Sequence, residues 1–221
     1  MNRARQGAAW SRSGDTARRA RALARAAVVA AALWGLPAEA AAQARVEAAD
    51  VQCPSVLGMG RLTGREFCDV MTGNEPAQGI LVTLPPRQGD ITLSFDLHNR
   101  HTYSEDLIRS GRGYRRYTAT IGVLTMNNDL LTRAIVQNEF RTAADLEDRI
   151  DGGAGPGGVK AVAPTGSVRI VLTISGNESQ VSILGEKLEV VRLDSPVPDN
   201  FIAPGRPVAL ISNVVVQYRP R

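Results

Sequence analysis

Two histidines three residues apart, His98 and His101, followed by Glu105 and Asp106, are the residues of this chain best suited by type to hold a metal ion. Two imidazoles and a carboxylate form a set that binds zinc or iron. The spacing opposes it. On a strand an odd separation sends side chains to opposite faces, so both rings converge only if the strand ends near Asn99. The simpler expectation is a polar strand end leading into a solvated loop. Calcium would need oxygen ligands instead, for which Asp96 and Asp194 are the candidates.

The densest positive run, Arg109-Ser-Gly-Arg112-Gly-Tyr114-Arg115-Arg116, interleaves one aromatic with four arginines. With Tyr103 nearby, such a run can grip an acidic glycan or a phosphate-bearing surface. Its plainer reading is a glycine-loosened loop at the edge of a sheet, where charge discourages edge-to-edge pairing. Stacking on a neutral sugar would fall to Tyr103, Tyr114 and Tyr117, with Tyr117 better placed in a core.

Covalent chemistry lacks its usual parts. No Gly-x-Ser-x-Gly elbow is present. Gly152 to Gly158 is not a phosphate loop, because Val159-Lys160-Ala161 follows where Lys-Ser or Lys-Thr is required. Asp96, Glu139, Glu186 and Glu189 are carboxylates in sufficient number for glycoside hydrolysis, but nothing in their spacing pairs any two of them. Asn177-Glu-Ser179 matches a glycosylation acceptor and reads more simply as a turn. The expectation is a protein that is not an enzyme.

Cys53 and Cys68 are the only cysteines, and an even pair in an exported chain is most simply a disulfide. Export is expected from the first 44 residues. Arginine-rich Met1 to Arg25, apolar Ala26 to Leu36 and the small-residue run Pro37 to Ala44 form a signal peptide of bacterial appearance, cleaved after Ala42 or Ala44. The apolar stretch is far shorter than the roughly 20 residues of a membrane-spanning helix, so no transmembrane anchor is expected in the mature chain. The leader holds seven arginines against Asp15 and Glu39. Without it, 26 basic and 22 acidic residues become 19 and 20, a net charge of about −1. A nucleic-acid partner would ask for a clear positive excess, which the mature chain does not have. The leader also carries both tryptophans, Trp10 and Trp34.

The elements that must position these residues are strands. Ile91, Leu93, Phe95 and Leu97 alternate with polar residues, as do Val168, Ile170, Leu172 and Ile174. Tyr117 to Met126 and Leu130 to Phe140 flank Asn127-Asn128-Asp129, a turn sequence that tolerates positive φ, so a hairpin is expected there. Further strands are read at Ile80 to Leu84, Val181 to Leu184, Lys187 to Leu193 and Val208 to Tyr218. The last should be central, since Val214-Val215-Val216 is apolar on both faces. One short helix is read at Thr142 to Ile150. Ser195 to Pro207 reads as a proline-rich connection.

These elements give an all-β fold, an antiparallel two-sheet β-sandwich of jelly-roll or immunoglobulin-like type over residues 80–221. A disulfide-tied irregular segment, residues 45–79, precedes it. The function expected is that of an exported, periplasmic or extracellular binding or structural module whose partner is an envelope protein or glycan. A jelly-roll carbohydrate-binding module, stabilised by calcium, is the second reading, and a glycosidase-like enzyme the third.

Overall fold

A computed structural model describes residues 43–103, 106, 109–110, 115–150 and 161–221. The expected leader up to residue 42 and the glycine run 152–158 lie outside the described residues. The chain forms β1 (Arg45–Ala48), β2 (Asp50–Gln52), β3 (Val56–Met59), β4 (Glu66–Met71), β5 (Ile80–Thr83) and β6 (Arg87–Tyr103). After these come β7 (Arg115–Thr125), β8 (Leu130–Phe140), β9 (Ala161–Ile174), β10 (Gln180–Arg192), β11 (Ser195–Phe201) and β12 (Pro207–Pro220).

They make two antiparallel six-stranded sheets. The first runs β3-β4-β12-β6-β9 with β1 also on β12, and the second runs β2-β5-β10-β7-β8 with β11 also on β10. Both sheets follow one plan. A long strand, β12 or β10, pairs along one side with another long strand, β6 or β7. Along its other side two short strands lie end to end: β4 and β1 on β12, β5 and β11 on β10. Each long strand is bulged where its short partners change over, between Ser212 and Val215 and between Gly185 and Lys187. An extra residue there breaks the ladder and increases the local twist.

The alternating residues supply the layer between the sheets. Ile91, Leu93, Phe95 and Leu97 of β6 are at most 1% exposed and pack with Ile121 and Val123 of β7 and Val181 and Ile183 of β10. Truncating a fully buried ring such as Phe95 to alanine costs about 3–5 kcal/mol in such a layer. Gly185 permits the sheets to close on each other. A Cβ there would stand 2.3 Å from Val208 Cγ2 and 3.3 Å from the Met71 backbone, and Gly185 bridges Thr72 across the layers.

Several expectations are corrected. Residues 45–71, read as irregular, supply four strands to the two sheets. Val181 to Leu184 and Lys187 to Arg192 belong to one strand, β10, with a bulge between them, and Leu193 lies in the turn that follows. Part of the proline-rich connection is β11, which pairs on one side only, so Pro196 and Pro198 sacrifice no ladder across a second neighbour. The turn at Gly176-Asn177 joins β9 of one sheet to β10 of the other and is not a paired hairpin. The Asn127-Asn128-Asp129 hairpin is present, with Asn128 at φ 71°.

The helix at Thr142 to Ile150 shrinks to one 3-10 turn, Ala143–Asp145. Thr142 does cap it, and Asp145 accepts from the backbone N–H groups of Thr142 at 2.6 Å and Arg141 at 2.9 Å. These hydrogen bonds hold the Asp145 carboxyl below its ordinary range. Beyond Asp145 the chain extends across the outer face of the first sheet. Leu146 bridges Thr165, Ile150 bridges Gly60, and Glu147 N–H donates to Pro164 O at 3.0 Å. A nine-residue helix is marginal by itself. These tertiary bonds outweigh it, and the segment becomes a strap over a second small core of Phe67, Leu210 and Ile150.

Candidate functional site

At the end of the sandwich where β6 and β10 finish and β7 and β12 begin, a cavity of about 440 Å3 opens between the sheets. Its wall carries four arginines: Arg100 from β6, Arg115 from β7, Arg192 from β10, and Arg206 just ahead of β12. Asp199 of β11 is the only acidic residue among its lining. Tyr117, Leu188, Val190 and Phe201 form the apolar part of the wall.

The four cations differ in how far they are already satisfied. Arg100 Nε donates to buried Asp69 Oδ1 at 2.7 Å, and Ser55 Oγ holds the other oxygen of that carboxylate at 2.8 Å. Arg192 Nε lies 3.5 Å from Asp199 and 3.6 Å from Asp194, both in exposed surroundings where such pairs are weak. The Arg206 guanidinium sits 4.0 Å above the Phe201 ring. Arg115 has no acidic partner among the described residues. A concave surface with a net positive charge and planar forked donors favours a carboxylate, sulfate or phosphate group.

Behind this wall His101 stacks on Phe140 with ring centroids 3.6 Å apart and meets Tyr117 edge-on at 4.7 Å. Neither ring nitrogen has a hydrogen-bond partner. Burial, reinforced by the Arg115 charge, lowers its pKa to about 3. The imidazole is therefore neutral and serves as one more packed ring, and Tyr117, only 4% exposed, belongs to the core as the sequence suggests.

His98 and His101 are thus neither a metal pair nor a solvated strand end. β6 continues to Tyr103, and its alternation puts His101 among the rings between the sheets while His98 faces outward under the strap. Among the described residues, candidate ligand atoms gather only at Cys53, Glu66 and Cys68, where both sulfurs are joined in the Cys53–Cys68 disulfide. Asp96 is engaged by Arg169 at 2.9 Å and by Asn213, whereas exposed Asp194 lies beside Arg192, so the two proposed calcium ligands keep separate partners.

Part of the Arg109–Arg116 run is also relocated. Arg115 and Arg116 open β7, a strand in the middle of its sheet, not a loop at the edge. Arg109 is exposed, Arg112 and Tyr114 lie outside the described residues, and Tyr103 is described by its backbone alone. The carboxylates suited by type to glycoside hydrolysis each face a cation: Asp96 with Arg169, Glu139 with Arg141, Glu186 with Arg133, Glu189 with Lys187. Of the pocket's cations only Arg115 belongs to the run singled out in sequence. Arg100, Arg192 and Arg206 are brought to it by long-range strand pairing, and no local signal marks them.

No protein-family model matches the chain, and no curated protein does. Among solved structures, the VP2 subviral particle of infectious bursal disease virus aligns over 82% of this chain and 43% of its own, at 12% identity. Its TM-score is 0.18, a likeness too slight to bear on fold or function. Among the described residues no helix is long and apolar enough to cross a membrane.

Proposed function

We propose that this chain is an exported β-sandwich binding module that takes an acidic group of an envelope glycan into the arginine-lined cavity. The observation that carries the reading is the gathering of four guanidiniums in that cavity against one lining carboxylate, Asp199, with Asp69 and Asp194 beside it, in a chain whose mature portion as a whole carries about −1. A general surface field does not account for such a concentration. It is local, and it is concave. The lining offers cations, rings and aliphatic side chains, with Asp199 as its one carboxylate, a composition that suits binding. The signal-peptide pattern and the disulfide support placement outside the cytosol.

The test is salt-dependent retention of the processed protein on immobilised heparin, with dextran as the neutral control. Retention at low salt that is released as salt rises, with passage straight through dextran, is the expected result. Passage straight through both columns at low salt overturns the reading.

A further inference from the structure

A separate cluster lies on the outer face of the first sheet, away from the arginine cavity. There Ser212 of β12 and His98 of β6 meet, with Ser212 Oγ 2.9 Å from His98 Nε2. The other ring nitrogen, Nδ1, faces Gly166 O at 2.7 Å and Glu147 Oε2 at 2.8 Å. A carbonyl and a carboxylate both require a donor, so Nδ1 carries the proton, aimed at Gly166 O. Glu147 Oε2 approaches beside that axis as an ion-pair contact and has no aligned hydrogen bond of its own. The tautomer is then fixed. In the neutral ring Nε2 has only its lone pair, and the Ser212 hydroxyl donates to it.

This is the protonation pattern of an activated serine: nucleophile, base, and a group that orients the base and faces the imidazolium as it forms. His98 is fully buried and Ser212 is 2% exposed, so the relay works in a dry setting where its charges are poorly screened. Phe67 packs edge-on against the His98 ring and holds it in place.

The bulge brings Ser212, but neither His98 nor Glu147, to the wall of a cavity. Ser212 follows the last residue of β12 paired with β4, Ile211, and precedes the first paired with β1, Val215. Beside it Asn213 takes a φ of 52°, one of only two positive-φ residues other than glycine among those described. A cavity of about 310 Å3 opens at this interruption, lined by Ser212, Asn213, Val214, Ala49, Val51 and Arg65 among others. Bulges and strained backbone of this kind concentrate at functional sites.

We infer that Ser212 is an acyl-accepting nucleophile, with His98 as its base and Glu147 as the positioning carboxylate, acting on small esters that enter through this cavity. Ser212 Oγ forms a bond to the ester carbonyl carbon as its proton passes to His98 Nε2. The tetrahedral adduct collapses, the C–O bond to the alcohol breaks, and the departing oxygen takes the proton from Nε2. Water then attacks the acyl–Ser212 ester, gives a proton to Nε2, and releases the carboxylic acid as Ser212 recovers its proton. The mixed apolar and polar wall of the cavity suits a short acyl chain.

The test is incubation of the folded, processed protein with a small alkyl fluorophosphonate, read by intact mass and peptide mapping. A single adduct on Ser212, absent from S212A, is expected. E147Q should label at least tenfold more slowly. Of the other charged groups around the relay, Asp96 and Arg169 keep their pair in that variant, whereas Arg65 loses its contact with Glu147 at 3.4 Å. The wild-type measurement decides by itself, whatever the variants do to folding. An unlabelled Ser212 in folded protein overturns the inference and makes the Ser212–His98 hydrogen bond structural only.

Discussion

His101 shows how a residue type that suggests chemistry is turned into packing. Its pKa of about 3 lies below the ordinary 6.5, so folding favours the neutral ring. As pH falls below about 6.5 the unfolded chain binds a proton that the folded chain refuses. Stability then drops by up to about 1.4 kcal/mol per pH unit until the folded pKa is reached. H101L removes that term, so its urea midpoint should fall less than the wild type's between pH 7 and pH 4.5; equal losses would show that His101 does not contribute. The alternation of β6 predicted that the two histidines would part. That both would be buried was not legible, because their covers, Phe140 for one and the strap for the other, come from distant sequence.

Among the elements, the strap at residues 141–150 depends most on a single side chain. Asp148 is buried, which by itself raises its pKa, but hydrogen bonds from Thr63 Oγ1 and from the Leu62, Thr63 and Arg149 N–H groups outweigh burial and lower it. D148A strands those donors, at a cost of about 2–3 kcal/mol. Amides of residues 143–150 should then exchange faster while those of β10 keep their protection. Uniform acceleration would mean that the strap and the sheets unfold as one unit. Long strands such as β6, β8 and β9 were readable because one buried face imposes the period of two, and β7 and β12 because they are apolar on both faces. The short strands β1 to β4 and proline-bearing β11 were not. Each borrows its order from a longer neighbour, so its own residues carry little pattern.

For the molecule as a whole, the disulfide fastens the N-terminal strands to the sandwich. Cys68 lies in β4, and Cys53 follows β2, a strand of the opposite sheet. Closing this loop is worth about 3 kcal/mol in the chain-entropy picture. The double variant C53S/C68S should lose about that much by urea unfolding; a loss below about 1 kcal/mol would show that β1 to β4 are held by strand pairing alone. The same two-sheet arrangement gathers Arg100, Arg115, Arg192 and Arg206, separated by up to 106 positions, around one cavity. Their convergence is a property of topology, so of these four only Arg115 lies in a basic run of the sequence. The central claim is that this convergence makes a binding site. It is tested most directly by calorimetric titration of a heparin-derived oligosaccharide into wild type and R115Q, since Arg115 has no acidic partner among the described residues and its loss breaks no ion pair there. The account predicts binding that weakens at least tenfold in R115Q, about 1.4 kcal/mol; equal affinity in the two proteins would contradict it.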